Sequence, residues 1–448
     1  MKPWLPRRGF FFGSIVGRDT IALGAAFVAC FHELLDNANG LDVKLRIVAP
    51  NVNLETGGGS HYTLHLMCRG LRDAGIEIDV FSLRRTADAS AEQLRAHGVT
   101  LTNLSGGDIK TPGGVDAGDF TRVGDGTADA ILVYGPAPFA YELKRRFPDR
   151  RVVVYFNTLT GFCTDVAKQQ DECWLDCTHS RRLRHHRGGK RDKLRYLVHG
   201  LSSFRDQASG FRSVDACVFD SEPLRAAFSR VYELPRECCR VVPECIDYDT
   251  IARQAVRPAV ESQINVLYVG TLFHHKGIDI LFDALRLVHS EWRVWIFGDG
   301  PDRSKVSAFQ NQFEDRVVFA GHVDNRDLFA RLSERAFVFV HPCRWFEAFG
   351  RSITEAMALG IPVIVPDVGG PSWIVTDGVD GLHYRHRSAR GLAARIDWAA
   401  RNPQSLAALA TRGRERAKAF DCANVTKQWL TLLHDIVDAR AKPVDENH

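Results

Sequence analysis

Long apolar runs are missing from this sequence. No uninterrupted apolar stretch reaches the ~20 residues that a membrane-spanning helix needs. Charge of one sign is also scarce: 58 Lys and Arg against 54 Asp and Glu leave +4, too little to imply a nucleic-acid partner. The eleven cysteines have an odd count and no regular spacing, which argues against a disulfide framework and for a reducing compartment. The glycine turns lack the G-x-G-x-x-G order in the right place, which counts against a dinucleotide-dependent dehydrogenase.

What is present is the composition of a globular protein, 45% hydrophobic and 25% charged, over 448 residues, a length that suggests two domains. From residue 41 short apolar runs alternate with amphipathic stretches. KLRIVAP, IEIDVFSL, AILVYG, RVVVYFN and VDACVFD read as strands, and the pattern restarts at INVLYVG, followed by WRVWIFG, RVVFAG, RAFVFVHP and IPVIVPD. Between them, 277–289 puts Ile278, Leu281, Leu285 and Val288 on one helical face. Such alternation implies parallel strands joined by crossover helices, hence an α/β architecture of two doubly wound halves.

We expect an N-terminal domain over 41–250 and a C-terminal domain over 251–423. A final helix over 424–441 carries Val425, Trp429, Leu432 and Ile436 on one stripe, which needs a surface to cover it, for which the first domain is a candidate. Residues 1–40 read as an appendage. Arg7 and Arg8 precede an apolar stretch, an export-like pattern, but Arg18 and Asp19 interrupt it. An insertion over 158–212 breaks the alternation. It holds Cys163, Cys173, Cys177 and His179, which have the ligand types of a zinc site but are read as a set of reduced thiols. It also holds the basic run of 181–195, read either as a solvated loop or as a patch for anionic lipid headgroups. No aromatic residues interleave that run, which disfavours single-stranded nucleic acid.

The segment of 341–370, HPCRWFEAFGRSITEAMALGIPVIVPDVGG, is the most specific feature. A strand ends, a loop carries Glu347, a helix opens near Gly350, and Glu355 follows eight residues after Glu347. Both carboxylates can then face one crevice. The backbone amides of Phe349, Gly350 and Arg351 at the helix start suit an anion such as phosphate. Glu355 lies in a mostly apolar stretch and needs a hydrogen-bond partner, which ribose hydroxyls would supply.

This segment resembles the signature of the retaining family-4 glycosyltransferases, and the likeness runs over most of 41–440. The resemblance implies the GT-B fold, two Rossmann-like domains facing each other across a cleft, and a nucleoside-diphosphate (NDP) sugar donor held mainly by the second. It implies that Glu347 contacts the donor sugar, Glu355 the ribose and Lys276, in GTLFHHKGID, the diphosphate. It places Gly58, Gly59, Thr271, Gly298 and His322 around the donor. No metal or cofactor is expected, and Asp247-Tyr248-Asp249 reads as structural. The resemblance further implies a hexosyl transfer, with retention, to a saccharide or lipid-linked saccharide in cell-surface polysaccharide or glycolipid assembly. The place expected is the cytoplasm, with peripheral contact to an anionic membrane at its inner face.

Several positions depart from the family pattern. Thr271 stands where an Arg is usual, and His274, His275 and Arg351 are the candidates to compensate. Trp373 replaces a Glu; Tyr134-Gly135-Pro136 and Asn157 stand where His is common. These departures motivate a second reading, a catalytically weakened NDP-sugar-binding subunit; a third is an NDP-sugar epimerase, which can share the two-domain fold but fits the Glu–Glu signature less well.

Overall fold

A computed structural model describes residues 43–50, 52, 59–104, 117–135, 137–158, 209–255, 263–323, 328, 331–332 and 337–438. Gly58, residues 1–40, the four zinc-type residues of 163–179 and the basic run of 181–195 lie outside these.

The strands are β1 (Lys44–Ala49), β2 (Glu77–Ser82), β3 (Thr100–Asn103), β4 (Ala130–Tyr134), β5 (Arg151–Phe156), β6 (Ala216–Phe219) and β7 (Cys239–Val241) in the first half. They form one sheet in the order β3-β2-β1-β4-β5-β6-β7, every pair parallel. Helices α1 (Gly59–Asp73), α2 (Asp88–Ala96), α3 (Ala117–Val123), α4 (Ala137–Arg146) and α5 (Glu222–Tyr232) fall between strands. All of AILVY in β4 is buried, as expected for a strand covered on both faces rather than one.

After α6 (Tyr248–Ala252) the second sheet begins with β8 (Ile264–Val269), β9 (Trp292–Phe297), β10 (Val317–Gly321), β11 (Phe337–Val340), β12 (Val363–Pro366) and β13 (Leu382–Tyr384). Its order is β10-β9-β8-β11-β12-β13, again parallel throughout. Its helices are α7 (Ile278–Leu285), α8 (Arg303–Phe313), α9 (Arg351–Ala358), α10 (Gly369–Ile374) and α11 (Ala389–Arg401), then α12 (Pro403–Ala417) and α13 (Cys422–Asp438). Helix α7 ends at Leu285, four residues short of the expected end at 289. The Asp397 carboxylate on α11 takes the amides of His289 and Ser290, at 3.1 and 2.9 Å, and turns the chain out of the helix.

In each sheet the strand order reverses direction once, between β1 and β4 and between β8 and β11. The crevice outside the carboxyl ends at such a reversal is where open parallel sheets bind ligands. Lys276 follows β8 and Glu347 follows β11, so they flank the second reversal.

The halves are stitched together. Phe346 and Ala348 are buried in the first half's core, in the same cluster as Phe156 and Phe228. The Ser221 hydroxyl donates to the Ala348 carbonyl at 2.5 Å. The terminal helix α13 packs on α1, with Trp429 edge-on to Tyr155 at 5.4 Å between ring centroids. Asp247 accepts from the Thr250 amide at 3.2 Å, capping α6, and pairs with Arg69 of α1 at 2.9 Å, while Asp249 is exposed. Among the described residues no helix is long and apolar enough to cross a membrane.

Candidate active site

The site is built from turns at the ends of β8 and β11. After β8 the chain makes a short 3-10 turn, His274–Lys276, closed by Gly277 at φ 72°. A Cβ on Gly277 would lie 2.1 Å from the Pro342 carbonyl oxygen. Only glycine permits that approach, and it presses the Lys276 turn against the loop that carries Glu347. Behind that loop, Gly370 donates its amide to the Glu347 carbonyl at 2.8 Å, and a Cβ there would strike Ala348 and Phe349.

Glu347 is thereby held with one carboxylate oxygen at the centre of a group. Its Oε2 lies 2.5 Å from Lys276 Nζ, 3.0 Å from Trp345 Nε1, 3.4 Å from Cys343 Sγ and 3.5 Å from His341 Nε2. Burial opposes the Glu347 charge, but the Lys276 ammonium and His341 outweigh it and hold the carboxyl well below the usual range. Burial likewise opposes the Lys276 charge, and Glu347 reverses the balance and raises it. His341 is lowered by burial, against Glu347, and so is mainly neutral near pH 7.

His341, Cys343 and Glu347 also place three potential metal-ligand atoms within 4.8 Å of one another. A metal cation on Glu347 Oε2 would face the like charge of Lys276 on the same oxygen. Lys276 already supplies the positive charge that the carboxylate requires.

Glu355 sits on α9 and meets Arg351, four residues earlier, with Arg351 Nε 3.2 Å from Glu355 Oε1. Burial raises the Glu355 carboxyl, and Arg351 opposes that rise. Beside the ribose hydroxyls expected to partner Glu355, a guanidinium one helical turn away is a partner within the chain. Arg351 reaches further. Its guanidinium lies 4.6 Å from the Tyr62 ring centroid, and a Cβ on Gly59 would come within 3.6 Å of its Nε. Its Nη1 is buried without a hydrogen-bond partner among the described residues. Arg351 thus ties the start of α1 to α9 and keeps one donor free.

The remaining candidates divide. Thr271 is exposed at the end of β8, and its carbonyl accepts from the Tyr268 hydroxyl at 3.0 Å. The backbone of Gly298 is pressed on Gly270, where a Cβ would meet the carbonyl oxygen at 1.9 Å, so it shapes the same rim. His322 is exposed at the end of the edge strand β10, two strands out from β8. Gly350 starts α9 at φ 105°. Phe349 turns its ring into the core against Trp373 and Phe420, so only its backbone can meet a ligand. Trp373 belongs to that same aromatic group, which gives it a packing role.

Of the three candidates to replace the cation absent at Thr271, His275 is removed. It is packed between Phe273 and Trp345, and burial, aided by Lys276, lowers it to about 4, so it is neutral near pH 7. Sequence reasoning missed the partners of Glu347, namely His341, Cys343 and Trp345, although HPCRW stood inside the quoted motif. It also missed Asp220 and Glu244, buried acids at the ends of β6 and β7, for which no motif gave a signal.

Comparison with known proteins bears on the fold and the family. Residues 57–250 match the family described as Glycosyltransferase Family 4, and residues 251–416 match Glycosyl transferases group 1. The D-rhamnosyltransferase WbpZ of Pseudomonas aeruginosa is 32% identical over 213 residues, 46% of this chain and 55% of that protein. The lipopolysaccharide core biosynthesis glycosyltransferase LpsE of Rhizobium meliloti is 29% identical over 171 residues, 38% of this chain and 49% of its own length. The matched part spans only 37% to 60% of the first curated relatives. The crystal structure of Anabaena HepE in complex with UDP-glucose superposes with a TM-score of 0.65 at 18% identity, covering 88% of this chain and 100% of that one, a likeness of fold. With two family matches that follow one another along the chain and two parallel sheets of the GT-B kind, this chain belongs to the GT-B glycosyltransferases of group 1 and family 4.

Proposed function

We propose that the chain transfers a hexosyl group from an NDP-sugar to a saccharide or lipid-linked saccharide in cell-surface polysaccharide or glycolipid assembly. The transfer keeps the anomeric configuration and uses no metal. The observation that carries this reading is the Lys276–Glu347 contact at the β8/β11 reversal, with Arg351 and Glu355 alongside. Lys276 and the unpartnered Nη1 of Arg351 face the diphosphate, where charge grows as the glycosidic bond breaks. Binding of the diphosphate draws Lys276 partly from Glu347, which frees that carboxylate for the sugar hydroxyls. Arg351 takes the place of the cation that Thr271 lacks. Glu355 meets the ribose from the oxygen that Arg351 does not use.

LpsE, by its name, acts in lipopolysaccharide core biosynthesis, WbpZ is named a D-rhamnosyltransferase, and HepE was crystallised with UDP-glucose. These relatives support the donor class and the setting. In this reading the protein works on the cytoplasmic side, peripheral to an anionic membrane.

A thermal-shift screen of UDP-, GDP-, dTDP- and ADP-sugars tests the donor site, because a ligand that binds the native state alone raises its melting temperature. One class should stand out. Turnover with that donor and a saccharide acceptor then separates an enzyme from a binding subunit, and product formed without acceptor would point to an epimerase. No stabilisation by any of the four would sink the reading.

A further inference from the structure

Electrostatically coupled to Glu347 is a second set of acids that the proposed transfer does not use. Asp220, at the end of β6, is fully buried, and neither of its carboxyl oxygens has a hydrogen-bond partner among the described residues. The hydroxyl of its neighbour Ser221 donates across the seam to the Ala348 carbonyl, next to Glu347. Glu244, just after β7, is 7% exposed. The two acids feel each other's charge, and both feel Glu347.

The surroundings are drawn from both halves. Asp220 interacts electrostatically with Tyr155 on β5, with Glu244 and with Glu347. Glu244 feels Thr63 on α1, Cys245, Tyr155, and, from the second half, Arg351, Glu347, Glu355 and Lys276. Cys422 of α13 lies against Cys245. Within this set four carboxyl groups meet two permanent cations, Lys276 and Arg351, since burial keeps His341 neutral. If all four carboxyls were ionised, a buried pocket would carry two uncompensated negative charges, and a diphosphate would add two more. Uncompensated charge in such a place is strongly disfavoured, and a carboxyl takes up a proton instead.

We propose that Asp220 and Glu244 are a proton-holding pair on the floor of the donor site, and that binding of an NDP-sugar is coupled to uptake of a proton there. The inference rests on the donor site proposed above and adds its charge balance. Direction and cause agree. Burial, with Glu244 adding to it, pushes Asp220 well above the ordinary carboxyl range, and burial pushes Glu244 up to about 7, with Arg351 opposing. The pair is thus poised to change charge near neutrality, and an arriving diphosphate raises both acids further.

The experiment is calorimetry of the full chain with UDP-glucose, GDP-mannose, dTDP-glucose and ADP-glucose. Their diphosphates carry no proton that titrates near neutrality. For the donor that binds, Kd should weaken by up to about tenfold per pH unit above pH 7, and the heat should vary with the buffer's ionisation enthalpy, reporting about one proton taken up. Glu244→Gln and Asp220→Asn, which fix a neutral group of the same shape, should keep the affinity at pH 7 and reduce that slope. A donor-free readout runs beside it. An acid raised in the folded state stabilises below its unfolded value and loses that contribution as pH rises through the folded one. The wild-type melting temperature should therefore fall from pH 5 to 8, and fall less in Glu244→Gln.

Affinity that is flat from pH 6 to 9 with no buffer-dependent heat overturns the proposal and leaves the donor site standing. Binding that requires added Mg²⁺ or Mn²⁺, and loses that requirement in Glu244→Gln, overturns it in favour of a metal. Failure of all four donors at every pH removes the donor site itself, and this inference with it.

Discussion

Lys276 and Glu347 are 71 positions apart in the chain and meet at 2.5 Å between Nζ and Oε2. The pair is neither a surface salt bridge nor a fully enclosed one: the side chains keep 23% and 13% of their exposure. Breaking a fully buried pair costs about 3–5 kcal/mol, so about 1–3 kcal/mol is expected here. Lys276→Met should lower stability by that amount and lower kcat/KM with the right donor by at least about tenfold, since a charge-assisted contact to the diphosphate is lost. The sign of the pH effect follows from Glu347. Its depressed carboxyl contributes stability above the unfolded value of 4.5, lost as pH falls through the folded value. Without Lys276, burial dominates and that acid limb flattens. Denaturant unfolding at pH 3 to 7 and steady-state kinetics measure both; an unchanged kcat/KM rejects the role of Lys276.

Arg351 offers a sharper test of how the chain replaces the cation absent at Thr271. Arg351→Ala should weaken donor binding about ten- to a hundredfold and also destabilise, because Glu355 is left buried without its partner. Arg351→Lys should recover charge but not the planar fork that spans Tyr62, Glu355 and the free Nη1, and so restore only part of the affinity. Calorimetric titration of the donor into each variant decides it. Equal affinity in wild type and Arg351→Ala would return the task to His274 or to residues outside those described.

His275 should behave as packing. Its ring fills the space between Phe273 and Trp345, and its basicity falls to about 4. His275→Phe keeps an aromatic ring there, so donor affinity should stay within about threefold and keep its salt dependence. A large loss, greater at low salt, would show that the ring carries charge in the complex.

Gly277→Ala tests the turn rather than a side chain. The new Cβ would meet the Pro342 carbonyl at 2.1 Å, on a backbone with φ 72°. Something must move, and strain of this kind costs about 1–3 kcal/mol. Since the same contact aims Lys276, a drop in kcat/KM beyond the loss of folded protein is expected. Circular dichroism melting paired with kinetics separates the two effects. Normal activity in a destabilised variant would show that the turn does not aim the lysine.

The fold class was readable because burial on both faces leaves its mark on short segments: AILVY in β4 and FVFV in β11 lack the alternation of a half-exposed strand. The helix over 277–289 was read too long because periodicity registers Val288 but not Asp397, which captures two amides from another helix. Within the site, Glu347 and Glu355 stood out through their spacing. The identity of their neighbours did not, because His341, Cys343 and Trp345 looked like ordinary residues of a strand end. Asp220 and Glu244 had no signal, since each is unremarkable in its own segment and unusual only in what surrounds it.

By itself, then, the sequence determined the two rounds of alternating strand and helix, the glycines that open and close the turns, and the acids and lysine at strand ends. These follow from local sterics and from the apolar pattern that burial demands. The tertiary structure alone decided which charges meet: Lys276 with Glu347, Arg351 with Glu355 and Tyr62, and Asp220 with Glu244. Electrostatic energy depends on distance and on the exclusion of water, and neither is a property of any short stretch of chain.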